Sequence, residues 1–142
     1  MGDNPINRAE KLVQYAVKKK KYRLGIISPI KDRQSDLENS IRSIVRENGG
    51  IVTFSVYYPD KISNLSSVAE DLRQKVISSH TNAIIFTDSP NKRIPLIAAD
   101  LTDIINSDSE NRLQIIGLTR WDLDSSIMLE PALAGSWLAL PD

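Results

Sequence analysis

Apolar residues gather in five short runs along the chain: 24–28 (LGIIS), 51–58 (IVTFSVYY), 83–87 (AIIFT), 113–118 (LQIIGL) and 136–140 (SWLAL). The first, third and fourth are nearly continuous in Ile, Leu, Phe and Ala, the pattern of strands covered on both faces. The second alternates more and is placed nearer a sheet edge. Between the runs the apolar period lengthens to that of a helix. Ala9, Leu12, Val13, Ala16 and Val17 share one helical face, as do Leu37, Ile41, Ile44 and Val45. Val68, Leu72 and Val76 mark a third helix, and Leu101, Ile104 and Ile105 a fourth.

Three helix starts carry a capping side chain three residues before a carboxylate: Asn7 with Glu10, Ser35 with Glu38, and Ser67 with Glu70. Gly49-Gly50 closes the second helix, where a left-handed residue is needed. The order is helix, then strand and helix repeated, then a short last strand. Parallel neighbours need crossovers of this length, and right-handed crossovers put helices on both faces. The pattern therefore predicts an α/β fold: a doubly wound three-layer αβα sandwich on a mostly parallel sheet of about five strands. At 142 residues, with no linker or repeat, the chain reads as a single domain over 1–142.

Composition narrows the function only by exclusion. Eighteen basic residues balance eighteen acidic ones, so net charge gives no reason to expect nucleic acid as a partner. The run Lys18-Lys19-Lys20-Lys21 falls where the first helix should end. Its plain reading is favourable interaction with the helix dipole; a phosphate-binding patch is the alternative. The absence of cysteine excludes disulfides and thiolate chemistry. No apolar stretch is long enough to span a bilayer, and the first ten residues are unlike a signal peptide, so no membrane insertion of this segment is expected.

In a sheet of this type ligands bind beyond the carboxyl ends of the strands. The loops that matter are then 28–33, 58–60, 88–91 and 119–122, and the candidate ligand-binding residues are Asp32, Arg33, Asp88, Ser89, Arg120 and Trp121. The first loop lacks the glycines of a dinucleotide site and the Gly-Lys-Ser of a phosphate-cradling loop. A phosphoacceptor receiver would need an acidic cluster after the first strand to hold magnesium, and Ser28-Pro29 does not supply it. No Gly-x-Ser-x-Gly elbow is present, and the single histidine, His80, precedes the third strand at the opposite pole. Asp122 and Asp124 read as an acid–base pair; more plainly, Asp124 or Ser125 caps the short helix at 125–130. Trp121 lines a pocket or covers the end of the sheet. No nucleophile is assembled with a base, so no catalytic residue, metal or cofactor is expected.

The stretch YRLGIISPIKDRQSDLENSIRSIVRENGGIV resembles the start of a lobe in the type I periplasmic binding proteins, the leucine/isoleucine/valine-binding group. The final stretch is more specific. Gly117, Trp121-Asp122, Glu130-Pro131-Ala132-Leu133-Ala134-Gly135, Trp137 and Pro141-Asp142 resemble a run in the penicillin-binding protein activators, receptor-like lipoproteins of the bacterial envelope. The resemblance implies a noncatalytic lobe acting through protein binding in envelope or peptidoglycan-synthesis regulation. A second lobe of the same protein and a cell-wall synthesis protein or small polar ligand would be its partners. It implies a periplasmic or outer-membrane-anchored location. The alternative is a solute-binding component of an amino-acid-type ABC transporter. Where the binding proteins carry Asp-x-Tyr-Gly after the first strand, this chain has Asp32-Arg33-Gln34-Ser35, which departs from amino-acid recognition.

Overall fold

The computed structural model describes residues 5–59, 65–88, 91–105, 112–118 and 130–138. Its elements run α1 (Pro5–Lys18), β1 (Arg23–Pro29), α2 (Asp36–Glu47), β2 (Ile51–Tyr58), α3 (Leu65–Ser79), β3 (Ala83–Phe86), α4 (Arg93–Ala99), α5 (Thr102–Ile105), β4 (Gln114–Gly117) and β5 (Trp137–Leu138). The five strands form one sheet in the order β2-β1-β3-β4-β5, and every adjacent pair is parallel. β1, β3 and β4 lie inside the sheet, and their continuous apolar runs are the ones buried along their length. The more alternating second run forms the edge strand β2, as its pattern indicates.

Alternation along the strands divides the core in two. Leu24, Ile26, Ile85 and Ile116 cluster with Ala9, Leu12, Val13 and Ala16 of α1 and with Ile41, Ile44 and Val45 of α2. Ile27, Val56, Tyr58, Ile84, Phe86 and Ile115 cluster with Leu65, Leu72 and Val76 of α3 and with Ile94, Ile97 and Ala98 of α4. At about 25 cal/mol per Å² of apolar surface removed from water, these two clusters supply the main driving force for the fold.

The helix ends follow one design. α1, α2 and α3 each stop in a left-handed residue: Lys20 at φ 68°, Gly49 at φ 87° and His80 at φ 55°. The N–H of that residue and the next one turn back to the helix carbonyls: Lys20 N to Val17 O and Lys21 N to Ala16 O, Gly49 N to Arg46 O and Gly50 N to Val45 O, His80 N to Ile77 O and Thr81 N to Val76 O. This satisfies carbonyls that would otherwise have no acceptor role at the end of a helix. The lysine run at 18–21 thus ends α1, with Lys21 Nζ donating to Arg112 O at 2.7 Å. His80 lies between α3 and β3, at the pole opposite the carboxyl ends of the strands.

Two of the three expected capping residues lie inside helices. Ser35 does cap α2, its Oγ accepting from Glu38 N at 3.2 Å. α1 already begins at Pro5 and α3 at Leu65, so Asn7 and Ser67 lie inside their helices. A proline fits the first helical position because its missing N–H would find no intrahelical partner there. The fourth helix begins earlier than the period at 101–105 suggests: α4 covers Arg93–Ala99 and only a short α5 follows. Pro95 is accommodated because it is the third residue of α4. The run at 136–140 contributes Trp137–Leu138 as strand, and Trp137 meets Tyr15 of α1 edge to face at 4.8 Å between ring centroids.

Candidate functional site

The strand order reverses between β1 and β3, because β1 leads outward to β2 and the chain then crosses back to β3. The carboxyl ends of these strands form the crevice where open α/β sheets take ligands. It is lined by residues that are polar yet buried. Ser28 is the penultimate residue of β1, and Thr87 follows β3; Thr87 Oγ1 donates to Ser28 Oγ at 2.8 Å. Thr87 N also donates to Ile27 O, extending the ladder past the last formal strand residue.

Asp88, 9% exposed, is the centre of this rim. Its Oδ2 accepts from Tyr58 Oη at 2.5 Å and from Asn91 Nδ2 at 2.7 Å. Arg93 of α4 adds a cation 3.8 Å from the same oxygen, and its guanidinium lies 5.5 Å from the centre of the Tyr58 ring. Asn91 is itself oriented, its Oδ1 accepting from Arg93 N at 2.8 Å. Tyr58 therefore reaches from β2, past β1, to the end of β3. Burial, and then the hydrogen bond and charge of Asp88, push the Tyr58 hydroxyl pKa far above its ordinary value.

A second polar cluster stands on the opposite side of β2, because adjacent strand residues face opposite ways. Tyr57 donates to Glu38 Oε1 of α2, and Arg42 NH2 donates to the same oxygen at 3.1 Å. Glu38 Oε2 accepts from Gln34 N at 2.8 Å. Arg42 also donates to Ser55 Oγ. Burial alone would raise the Glu38 pKa; the Tyr57 hydroxyl, the Gln34 N–H and Arg42 outweigh it and hold it below the ordinary value. Arg33 sits over the ring of Tyr57, 5.6 Å from its centroid.

The candidate residues read from the sequence are thus not gathered into one site within the described residues. Asp88 anchors the crevice, Arg33 joins the Glu38 cluster, and Asp32 lies in the short 3₁₀ turn Ile30–Asp32 directly before Arg33. Ser89, Arg120 and Trp121 lie outside the described residues, as do Asp122 and Asp124. Sequence reading passed over Arg93, Glu38, Arg42 and Tyr57 as site residues. The one signal for them is the doublet Tyr57-Tyr58 at the end of an edge strand, which must send one hydroxyl to each face. Among the described residues no group of three or more His, Asp or Glu is placed to hold a metal ion, and no helix is long and apolar enough to cross a membrane. The chain matches no protein-family model and no curated protein sequence.

Proposed function

We propose that the chain is one doubly wound, three-layer αβα lobe of a periplasmic binding protein-like receptor, closest in kind to the penicillin-binding protein activators. In this reading it is noncatalytic and works by presenting the carboxyl rim of its sheet to a cell-wall synthesis protein, beside a second lobe of the same protein in the envelope. The observation that carries the reading is the state of Asp88. A carboxylate at the switch point of the sheet, already held by a tyrosine, an asparagine and an arginine, is suited to shaping a fixed recognition rim. A general base would instead need access to the proton it takes. The parallel order β2-β1-β3-β4-β5 and the two core clusters support the lobe architecture.

A second reading, the solute-binding component of an amino-acid-type ABC transporter, draws on the paired hydroxyls of Ser28 and Thr87 in the same crevice. Amide chemical-shift mapping of the ¹⁵N-labelled chain separates the two. A soluble periplasmic fragment of a penicillin-binding protein that shifts residues 28–35, 57–59 and 87–93 supports the proposal. Saturable shifts at Ser28, Thr87 and Asp88 with a free amino acid, and none with the protein, favour the transporter. Shifts confined to the pole of Lys20 and His80 overturn both.

A further inference from the structure

The Glu38 cluster forms the floor of an open groove of about 590 Å³ between α2 and the outer strand β2, lined by Arg33, Gln34, Glu38, Arg42, Ser55 and Tyr57. That size falls within the range of small-molecule sites. The chemistry of its wall is unequal. Glu38 is 2% exposed, and both of its oxygens are occupied, one by Tyr57 and Arg42 and the other by Gln34 N. It cannot greet an incoming cation. Its charge is spent orienting Arg42, whose side chain remains 42% exposed. Arg33, over the Tyr57 ring, is exposed and pairs with no carboxylate among the described residues. Two guanidinium groups therefore line one groove with Tyr57 and a single buried carboxylate.

We propose that this groove binds a small organic oxyanion, with Arg33 and the outward N–H groups of Arg42 as its donors. Arginine presents planar, forked donors that match carboxylate and phosphate oxygens, and charge-assisted bonds of this kind are the stronger ones. The pairing of Arg42 NH2 with Glu38 and Ser55 fixes its guanidinium, so less side-chain freedom is lost when a ligand arrives. With two cations against one carboxylate, the charged side chains lining the groove carry one net positive charge. This favours a monoanionic carboxylate group over a phosphate dianion. A zwitterionic amino acid gains nothing here, because the carboxylate that would meet its ammonium group is buried and already satisfied. The site stands apart from the Asp88 crevice and does not depend on the receptor reading.

The test is a titration of the intact ¹⁵N-labelled chain with sodium acetate and, separately, with sodium phosphate, following arginine Nε–H signals and backbone amides. Sodium chloride at matched ionic strength is the control. Saturable shifts of Arg33, Arg42 and Gln34 within about 20 mM ligand are expected, with acetate the tighter of the two. Arg33→Gln should weaken binding by about tenfold or more while leaving the unfolding midpoint unchanged, since Arg33 is exposed. Arg42→Lys, which keeps the charge but loses the fork, should weaken it as well. Tighter binding of phosphate would overturn the assignment to carboxylates. Shifts no larger than those with chloride, or undiminished binding by Arg33→Gln, would overturn the site.

Discussion

The Tyr58 hydroxyl donates to Asp88 Oδ2 at 2.5 Å, joining the edge strand β2 to the end of β3 across the intervening β1. Tyr58 is fully buried, so its hydroxyl depends on Asp88 as its acceptor. Removing the hydroxyl leaves a buried carboxylate with one donor fewer, and losses of this kind cost about 1–3 kcal/mol. Tyr58→Phe should lower stability by that amount at neutral pH, read by urea unfolding. The same contact predicts an alkaline limit. Because the folded-state pKa of Tyr58 is raised, its contribution is complete below the unfolded tyrosine pKa of about 10 and falls away as pH rises above it. Stability of the wild type should therefore decline more steeply above pH 10 than that of Tyr58→Phe. Equal slopes would show that Asp88 does not hold this proton.

Glu38 sets the corresponding acid limit. Its pKa is held down by Tyr57, Gln34 N and Arg42 against the effect of burial. The stability this supplies is present above the unfolded glutamate pKa of about 4.3 and is lost as pH falls through the folded value. Glu38→Gln should flatten the acid limb of the stability profile. At neutral pH it should cost about 1–3 kcal/mol, because a buried charged acceptor is replaced by a weaker one and Arg42 loses its partner. Urea unfolding between pH 3 and 7 checks both parts. An unaltered acid limb would place the acid sensitivity in another carboxylate.

Where β1 meets β2 the register slips, with Leu24 opposite Val52 and Gly25 opposite Phe54, leaving Thr53 as the extra residue. Thr53 uses its hydroxyl to donate to Leu24 O at 3.3 Å. The Phe54 ring then lies directly over Gly25, and a Cβ placed there would overlap the ring. Gly25→Ala should destabilise the fold by about 1–3 kcal/mol, the usual cost of overpacking. The double variant Gly25→Ala/Phe54→Leu should recover part of that loss, since the smaller side chain vacates the space. A double variant whose loss equals the sum of the two single losses would show that the ring is not what excludes the methyl group.

Strand identity was legible in the sequence because burial on both faces leaves an unbroken apolar run, as in Ile84, Ile85 and Phe86. The edge position of β2 was legible for the complementary reason: its alternation carries Ser55 and Tyr57 toward polar partners. Helix starts were less so. A capping pair such as Ser67 and Glu70 can occur anywhere, and the burial of Leu65 draws α3 back two residues beyond it. α4 was obscured by Pro95, which a pattern reader takes as a break although the first turn of a helix tolerates it. The site was legible only as a set of loops. Glu38 could be read as a capping carboxylate and does accept the Gln34 N–H, yet its other oxygen meets Tyr57, nineteen residues along the chain. Tyr58 and Asp88 are separated by thirty residues, and only the parallel register brings their ends together.

His80 tests the opposite pole. It occupies the left-handed position that closes α3, at φ 55°, while Gly49 fills the equivalent position after α2. In that conformation the Cβ of an L-residue crowds the following carbonyl, at a cost of about 1–2 kcal/mol that glycine does not carry. Part of the gain on substitution is returned, because glycine also loosens the unfolded chain. His80→Gly should therefore stabilise the protein by up to about 1 kcal/mol. Because His80 ends α3, which packs in the other core cluster from α2 and its groove, the variant should leave acetate binding unchanged. Thermal unfolding provides the measurement, with Lys20→Gly, at φ 68° after α1, as an independent second case. If neither variant raises the midpoint, the side chains of Lys20 and His80 contribute enough at these helix ends to offset the strain of their backbone.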